Sequence, residues 1–313
     1  MIPWRYHLVS IMAIFLALGL GVVVGTTVIN PGLVKNLNNQ TDGLKQDVRD
    51  LQKEKVDLES QLNTMTAFGE QAMPYLVGDT LLGRRVVIVT EEGVDARAIA
   101  ETRRALELSG AEILTTLTVR PSMSGDTAAA QRDLAVLLGL SATTSSDLLA
   151  SEAASSLAQR LATDLGGDLS VRPDPLGEML SQGFLISSAP DISDSTLKDI
   201  GGRGQMVVTV GGGTVDQLSP PSAMFMEPFV TELIAAGVVA GAGESVASDD
   251  GFVSDLRSSV DDSSLAPLVT VDNVDLPIGA SAMVLGLRGA LTTGTGGDYG
   301  VKDGLTRLLP PAG

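Results

Sequence analysis

The sequence predicts a membrane-anchored α/β protein. Its expected parts are an N-terminal transmembrane helix, a parallel dimeric coiled coil, and a Rossmann- or flavodoxin-like domain with a mostly parallel sheet. Three observations carry this prediction. A run of 22 uncharged residues, Leu8–Ile29, stands near the amino terminus. Apolar residues then recur every seventh position from Leu37 to Met65. Beyond Arg84, short β-branched runs alternate with segments of helical period. The expected layout is a cytoplasmic stretch 1–7, a signal anchor 8–29, a stalk 33–70 and an extracytoplasmic α/β domain 78–313.

At about 1.5 Å per residue, the first run covers roughly 30 Å, the hydrocarbon thickness of a bilayer. Arg5 and the free amine lie on its short side, which places the amino terminus in the cytoplasm and makes the chain a single-pass cell-membrane protein. A cleaved signal peptide is the competing reading. The apolar core exceeds the usual length of about 7–15 residues, and no clear A-x-A site follows. Within the run, Ala13, Ala17, Gly21 and Gly25 recur every fourth residue, a small-residue ridge on which two helix backbones can approach closely.

Asn30-Pro31-Gly32 ends this helix, because proline removes a donor and glycine loosens the chain. In the stalk, Leu37, Leu44, Leu51, Leu58 and Met65 form a d series, and Val34, Thr41, Val48, Lys55 and Leu62 form the a series. Leucine at d with β-branched residues at a favours two parallel strands, and Lys55 at an a position opposes higher oligomers. Two chains leaving one membrane face side by side can pair only in parallel. The alternative is a helix that packs onto the domain of its own chain.

In the domain, Arg85–Thr90, Ala111–Val119, Phe184–Ser188, Gln205–Val210, Gly237–Ala242 and Pro267–Val271 read as strands. Helices are expected over Asp95–Ser109, Thr127–Leu140, Ser146–Leu165 and near Gly279–Leu291, with Gly294–Gly313 as a loop or tail. Met73-Pro74 and the stretch to Gly83 are expected to end the stalk.

Composition excludes most familiar chemistry. The chain has 21 Lys and Arg against 38 Asp and Glu, a formal net charge of −17, which argues against nucleic acid as a partner. It has no cysteine and one histidine, His7, so thiol nucleophiles, Cys-ligated metals and a Ser-His-Asp triad are unavailable. Three candidate sites remain. Gly211-Gly212-Gly213 follows a strand and can form an amide nest for a phosphate, although it matches no phosphate-loop pattern and a turn is the preferred role. Asp272, Asn273 and Asp275, with Glu91, Glu92 and Asp95, offer oxygen ligands at strand ends, where helix capping and turn formation are the preferred roles. Met224 and Met226 are candidate thioether ligands for Cu(I), with core filling preferred.

Several segments resemble a known family. Met1-Ile2, Arg5, His7, Val9-Ser10, Phe15–Leu18, Gly21–Val23 and Gly25 resemble the actinobacterial MctB family, as do Thr270–Asp275 and Asp298-Tyr299-Gly300. The resemblance spans the chain, with anchor, coiled coil and α/β domain in the same order. It implies a label of copper transport and an outer-membrane placement, as in mycobacteria. Through the corynebacterial relative SteB it also implies an envelope component paired with the membrane protein SteA, in cell division and control of a peptidoglycan hydrolase. Where the resemblance leads one to expect His-Tyr-Gly, this chain has Asp298-Tyr299-Gly300, which removes one imidazole. The expected function is a non-enzymatic, membrane-anchored dimeric scaffold of the envelope with no cofactor, acting in cell division through a SteA-like partner. Copper transport or homeostasis is the alternative, and a nucleotide-binding sensor or enzyme built on the glycine turn is a third reading.

Overall fold

The computed structural model describes residues 4–27, 31–163, 174–188, 194–202, 204–212, 222–248, 251–259, 267–302 and 307–311. It divides into two compact units, residues 1–65 and 66–313.

The first unit is helical. Helix α1 spans Trp4–Thr27 and contains an apolar span, Trp4–Gly25, with mean hydropathy 2.6. It starts four residues before the expected Leu8, and Trp4 and Tyr6 give its first turn two amphipathic rings suited to a membrane interface. Helix α2 spans Pro31–Val77, most of it in the first unit. Residues 28–30, on which part of the expected break falls, lie outside the described residues, and Pro31 and Gly32 form the first turn of α2. The helix continues through Pro74, whose carbonyl accepts from the Gly78 N–H at 3.1 Å.

In the second unit the elements run β1 (Arg85–Glu91), α3 (Ala96–Leu108), β2 (Glu112–Val119), α4 (Ala128–Leu138), α5 (Ser146–Ala162), α6 (Pro175–Ser181) and β3 (Leu185–Ser187). There follow α7 (Asp194–Asp199), β4 (Met206–Val210), a π-helical turn (Ser222–Met226), α8 (Glu227–Ala235) and β5 (Ala240–Gly243). The chain closes with α9 (Phe252–Ser259), β6 (Leu268–Val271), α10 (Pro277–Thr293) and β7 (Gly297–Tyr299). The seven strands stand in the order β3-β2-β1-β4-β5-β6-β7. Every neighbouring pair is parallel except β2–β3. Strand order reverses between β1 and β4, as in Rossmann-type sheets.

Both faces of the sheet are covered, which explains the unbroken apolar runs in its central strands. Val87 and Val89 of β1 face a core built with α4, α5, α6 and α8. Val86 and Ile88, one residue out of step, face a second core that includes Met73 and Val77 of α2 together with α3 and α10. Strand β5 is Ala-Gly-Ala-Gly because α10 lies close to it: a Cβ on Gly241 would collide with the Met283 sulfur.

Two sequence expectations are corrected here. Gly237 ends α8 with φ +79°, so the strand expected from that residue begins at Ala240. The C-terminal stretch read as loop contains β7, paired with β6. The helix α2 ends at Val77, within the stretch from Met73 to Gly83 expected to end it, and Met73 and Val77 are buried. Gly166-Gly167, read from the sequence as the stop of the helix expected over Ser146–Leu165, lie outside the described residues.

Candidate functional site

A sheet with this strand order binds ligands, where it binds them, at the carboxyl ends of its strands beside the β1/β4 reversal. Gly211 and Gly212 stand there, and Gly213 lies outside the described residues. Gly211 N–H donates to Gly243 O at 2.9 Å, and Gly212 N–H donates to Glu91 Oε1 at 2.8 Å. Glu91 is buried at the end of β1. The amide that a phosphate would use is therefore already taken by a carboxyl oxygen of the same chain.

The ends of β5, β6 and β7 are bound together by buried charge. Asp272, fully buried after β6, accepts from Arg257 Nη1 at 2.9 Å, Val301 N–H at 2.7 Å and Lys302 N–H at 3.2 Å. Arg257, from α9, also donates through Nε to Thr270 Oγ1 at 2.8 Å and through Nη2 to Tyr299 O at 2.9 Å. Thr270 in turn donates to Asp298 Oδ1 at 2.6 Å. Glu244, buried after β5, accepts from Lys302 Nζ at 2.8 Å on one oxygen and from Val253 N–H at 3.1 Å on the other. Lys302 Nζ donates as well to Ser248 O at 2.7 Å and Ser245 O at 3.0 Å, which uses all three of its protons. A buried charge is tolerated when paired and hydrogen-bonded in this way. The Tyr299 pKa is raised, chiefly by burial, so its phenol stays protonated at neutral pH.

Gly300 lets the last segment approach. Its φ is +138°, and a Cβ there would collide with the Asp272 carboxylate. We expect Gly300→Ala to lower unfolding stability by about 2–4 kcal/mol, through backbone strain and displacement of a buried ion pair. Denaturant midpoints of the full chain would measure it, and an unchanged midpoint would show that the segment does not close the strand ends.

The remaining candidates fall into structural roles. Asp275 accepts from Val246 N–H at 2.8 Å, and Asp95 caps α3 through Arg97 N–H at 2.9 Å. Glu92 pairs with Arg120 at 3.4 Å. Asn273 is buried beside Gly279, where a Cβ would meet its carbonyl. Met226 is fully buried while Met224 is 42% exposed, so the two thioethers do not share one surface. Among the described residues no group of three or more His, Cys, Asp or Glu is placed to hold a metal ion. Sequence reasoning singled out Asp272 and Asp298 but missed Glu244, Arg257 and Lys302. The signal available was a lone lysine in a glycine-rich tail.

A second surface lies on α2. Leu37, Leu44, Val48, Leu51, Leu58, Leu62 and Met65 are all exposed, from 45% at Val48 to 72% at Met65. Thr41 Oγ1 donates to Leu37 O at 2.8 Å, and Lys55 pairs with Glu59 at 3.6 Å. The side chain of Val34 lies outside the described residues. On α1, Ala17, Gly21 and Gly25 are exposed, and a Cβ on either glycine would meet open space. These residues form one exposed apolar row along α2.

Comparison with known proteins gives a consistent family. The model of the family described as "Copper transport outer membrane protein, MctB" matches residues 1–310. A Mycobacterium leprae protein named "Copper transporter MctB" is 26% identical over 349 residues, covering 99% of this chain and 100% of its own. Proteins of the same name from Mycobacterium bovis and Mycobacterium tuberculosis are each 24% identical over 318 residues, covering 97% of this chain and 98% of theirs.

Proposed function

The chain belongs to the MctB family, and from that premise we propose that it serves copper homeostasis at the cell envelope as a paired, membrane-anchored protein that does not itself conduct the ion. The names carried by its relatives favour copper over the cell-division role that the sequence resemblance put first. In this reading the two chains pair in parallel, the α/β domain is extracytoplasmic and no reaction is catalysed.

One observation carries the non-conducting part. Among the described residues there is one candidate membrane span, and the sheet is open, with β3 and β7 as its edges. A conduit through hydrocarbon needs several helices or a closed barrel of antiparallel strands. Copper relays are also built from Cys, His or clustered Met, and this chain has no cysteine and one histidine. The protein therefore acts on copper through partner proteins: the exposed row on α2 brings two copies together, and the α/β domains present a rigid surface. The strand-end ion pairs hold that surface in shape.

Two measurements test this reading. In cells lacking the protein, the wild-type chain restores growth under copper stress, and a variant with Leu51→Lys and Leu58→Lys fails to restore it although it is made and anchored. In liposomes, purified chain admits no more copper than protein-free vesicles. Saturable copper entry through the purified chain would overturn the reading, as would full rescue by the lysine variant.

A further inference from the structure

Aromatic side chains are scarce in this chain, and the α/β domain hides nearly all that it has. Phe184, Phe225, Phe229, Phe252 and Tyr299 are each no more than 4% exposed. Outside α1, the exposed aromatics are Phe68 at 73% and Tyr75 at 91%. They lie seven residues apart on α2. At 3.6 residues per turn they stand opposite Met73 and Val77, which are fully buried in the domain core.

Their positions continue the heptad row with one change of step. From Leu51 the row advances by alternate fours and threes through Lys55, Leu58 and Leu62 to Met65. The regular next position is Gly69, but the domain occupies it: a Cβ there would stand 3.0 Å from Pro277 Cβ. A second step of three leads instead to Phe68, and the regular alternation resumes through Ala72 to Tyr75. Such a three-residue insertion is a known irregularity of coiled coils, which tightens the supercoil locally and keeps the seam continuous.

Resting on the pairing proposed above, we propose that the helix–helix seam between two copies does not end with the stalk. The second copy also covers Phe68 and Tyr75, which fixes the two α/β domains side by side. Charge supports a second copy as the occupant. The chain is strongly acidic, at −17, so close approach of two copies is least opposed where neither presents a carboxylate. Met65, Phe68, Gln71, Ala72, Tyr75 and Leu76 form such a face, with no charged residue among them. Chains anchored in one membrane also bring equal residues to equal heights, so that Phe68 meets Phe68 and Tyr75 meets Tyr75, pairs suited to aromatic contact.

The absence of native cysteine makes the test clean. Single substitutions Leu51→Cys, Phe68→Cys, Tyr75→Cys and Glu70→Cys are introduced in the full chain in its membrane and oxidised mildly, with Glu70 as an exposed position off the seam. Disulfide closure needs Cα atoms within about 7 Å, so Phe68→Cys and Tyr75→Cys should cross-link nearly as fast as Leu51→Cys and roughly tenfold faster than Glu70→Cys. Cross-linking at Leu51 with only the Glu70 rate at Phe68 and Tyr75 overturns this inference and leaves the pairing intact. No cross-linking at Leu51 overturns both.

Discussion

Lysine at both Leu51 and Leu58 is expected to turn the paired chain into single copies. Both positions are exposed in the isolated chain, at 65% and 57%, so the substitution removes no contact within it. In a pair, each leucine buries most of its side chain against the facing helix, a contribution of about 1.5–3 kcal/mol. Four leucines are lost per pair, and four cations replace them beside the two copies of Lys55. Together these losses exceed about 6 kcal/mol, a weakening of association by roughly ten-thousandfold or more. Sedimentation or light scattering of the detergent-solubilised chain reads this directly. The unfolding midpoint of the α/β domain should stay unchanged, which separates a lost interface from a damaged fold. Lys55→Leu should act the other way: it tightens association and weakens the preference for two strands over three.

Asp272→Ala is expected to produce the largest loss of folded stability. Asp272 is fully buried and receives Arg257, Val301 and Lys302 together. Removing the carboxylate takes from the Arg257 guanidinium, which is only 11% exposed, the partner it holds at 2.9 Å, and leaves two backbone amides without their acceptor. Breaking one side of a buried pair costs about 3–5 kcal/mol. For a domain of this size that is a fall in thermal midpoint on the order of 10 °C. A double variant, Asp272→Leu with Arg257→Met, should recover part of the loss, because two apolar side chains carry no desolvation penalty. If Asp272→Ala unfolds at the wild-type temperature, the strand-end network does not hold the domain together, and a ligand role for Asp272 returns.

The elements legible in the sequence are those whose side chains alone decide them. Val86–Val89 and Val207–Val210 announce central strands because their apolar, mostly β-branched side chains fill both faces. Strand β5 starts three residues later than the sequence suggests because Ala-Gly-Ala-Gly carries no strand preference, and its conformation follows from its neighbours β4 and β6. Strand β7 was missed for a similar reason: Gly297–Tyr299 is three residues of tail, made a strand by pairing with Val269–Val271 and by Arg257. The candidate site shows the same division. Asp272 was conspicuous at a strand end, but its role depends on Arg257 and Lys302, which reach it through the fold and not through spacing. The methionine pair looked joint in sequence, and the π-helical turn at Ser222–Met226 sends one inward and leaves the other outside.

The heptad row is the opposite case. Its side chains are exposed on α2, and in the proposed pairing a second chain covers them. The most direct measurement is the mass of the full-length protein in a nanodisc or micelle, followed over a wide range of concentration. Pairing along α2 predicts two copies, twice the 32.3 kDa of one chain, falling to one copy with lysine at Leu51 and Leu58. A wild-type chain that remains a single 32.3 kDa copy at the highest concentration would contradict it.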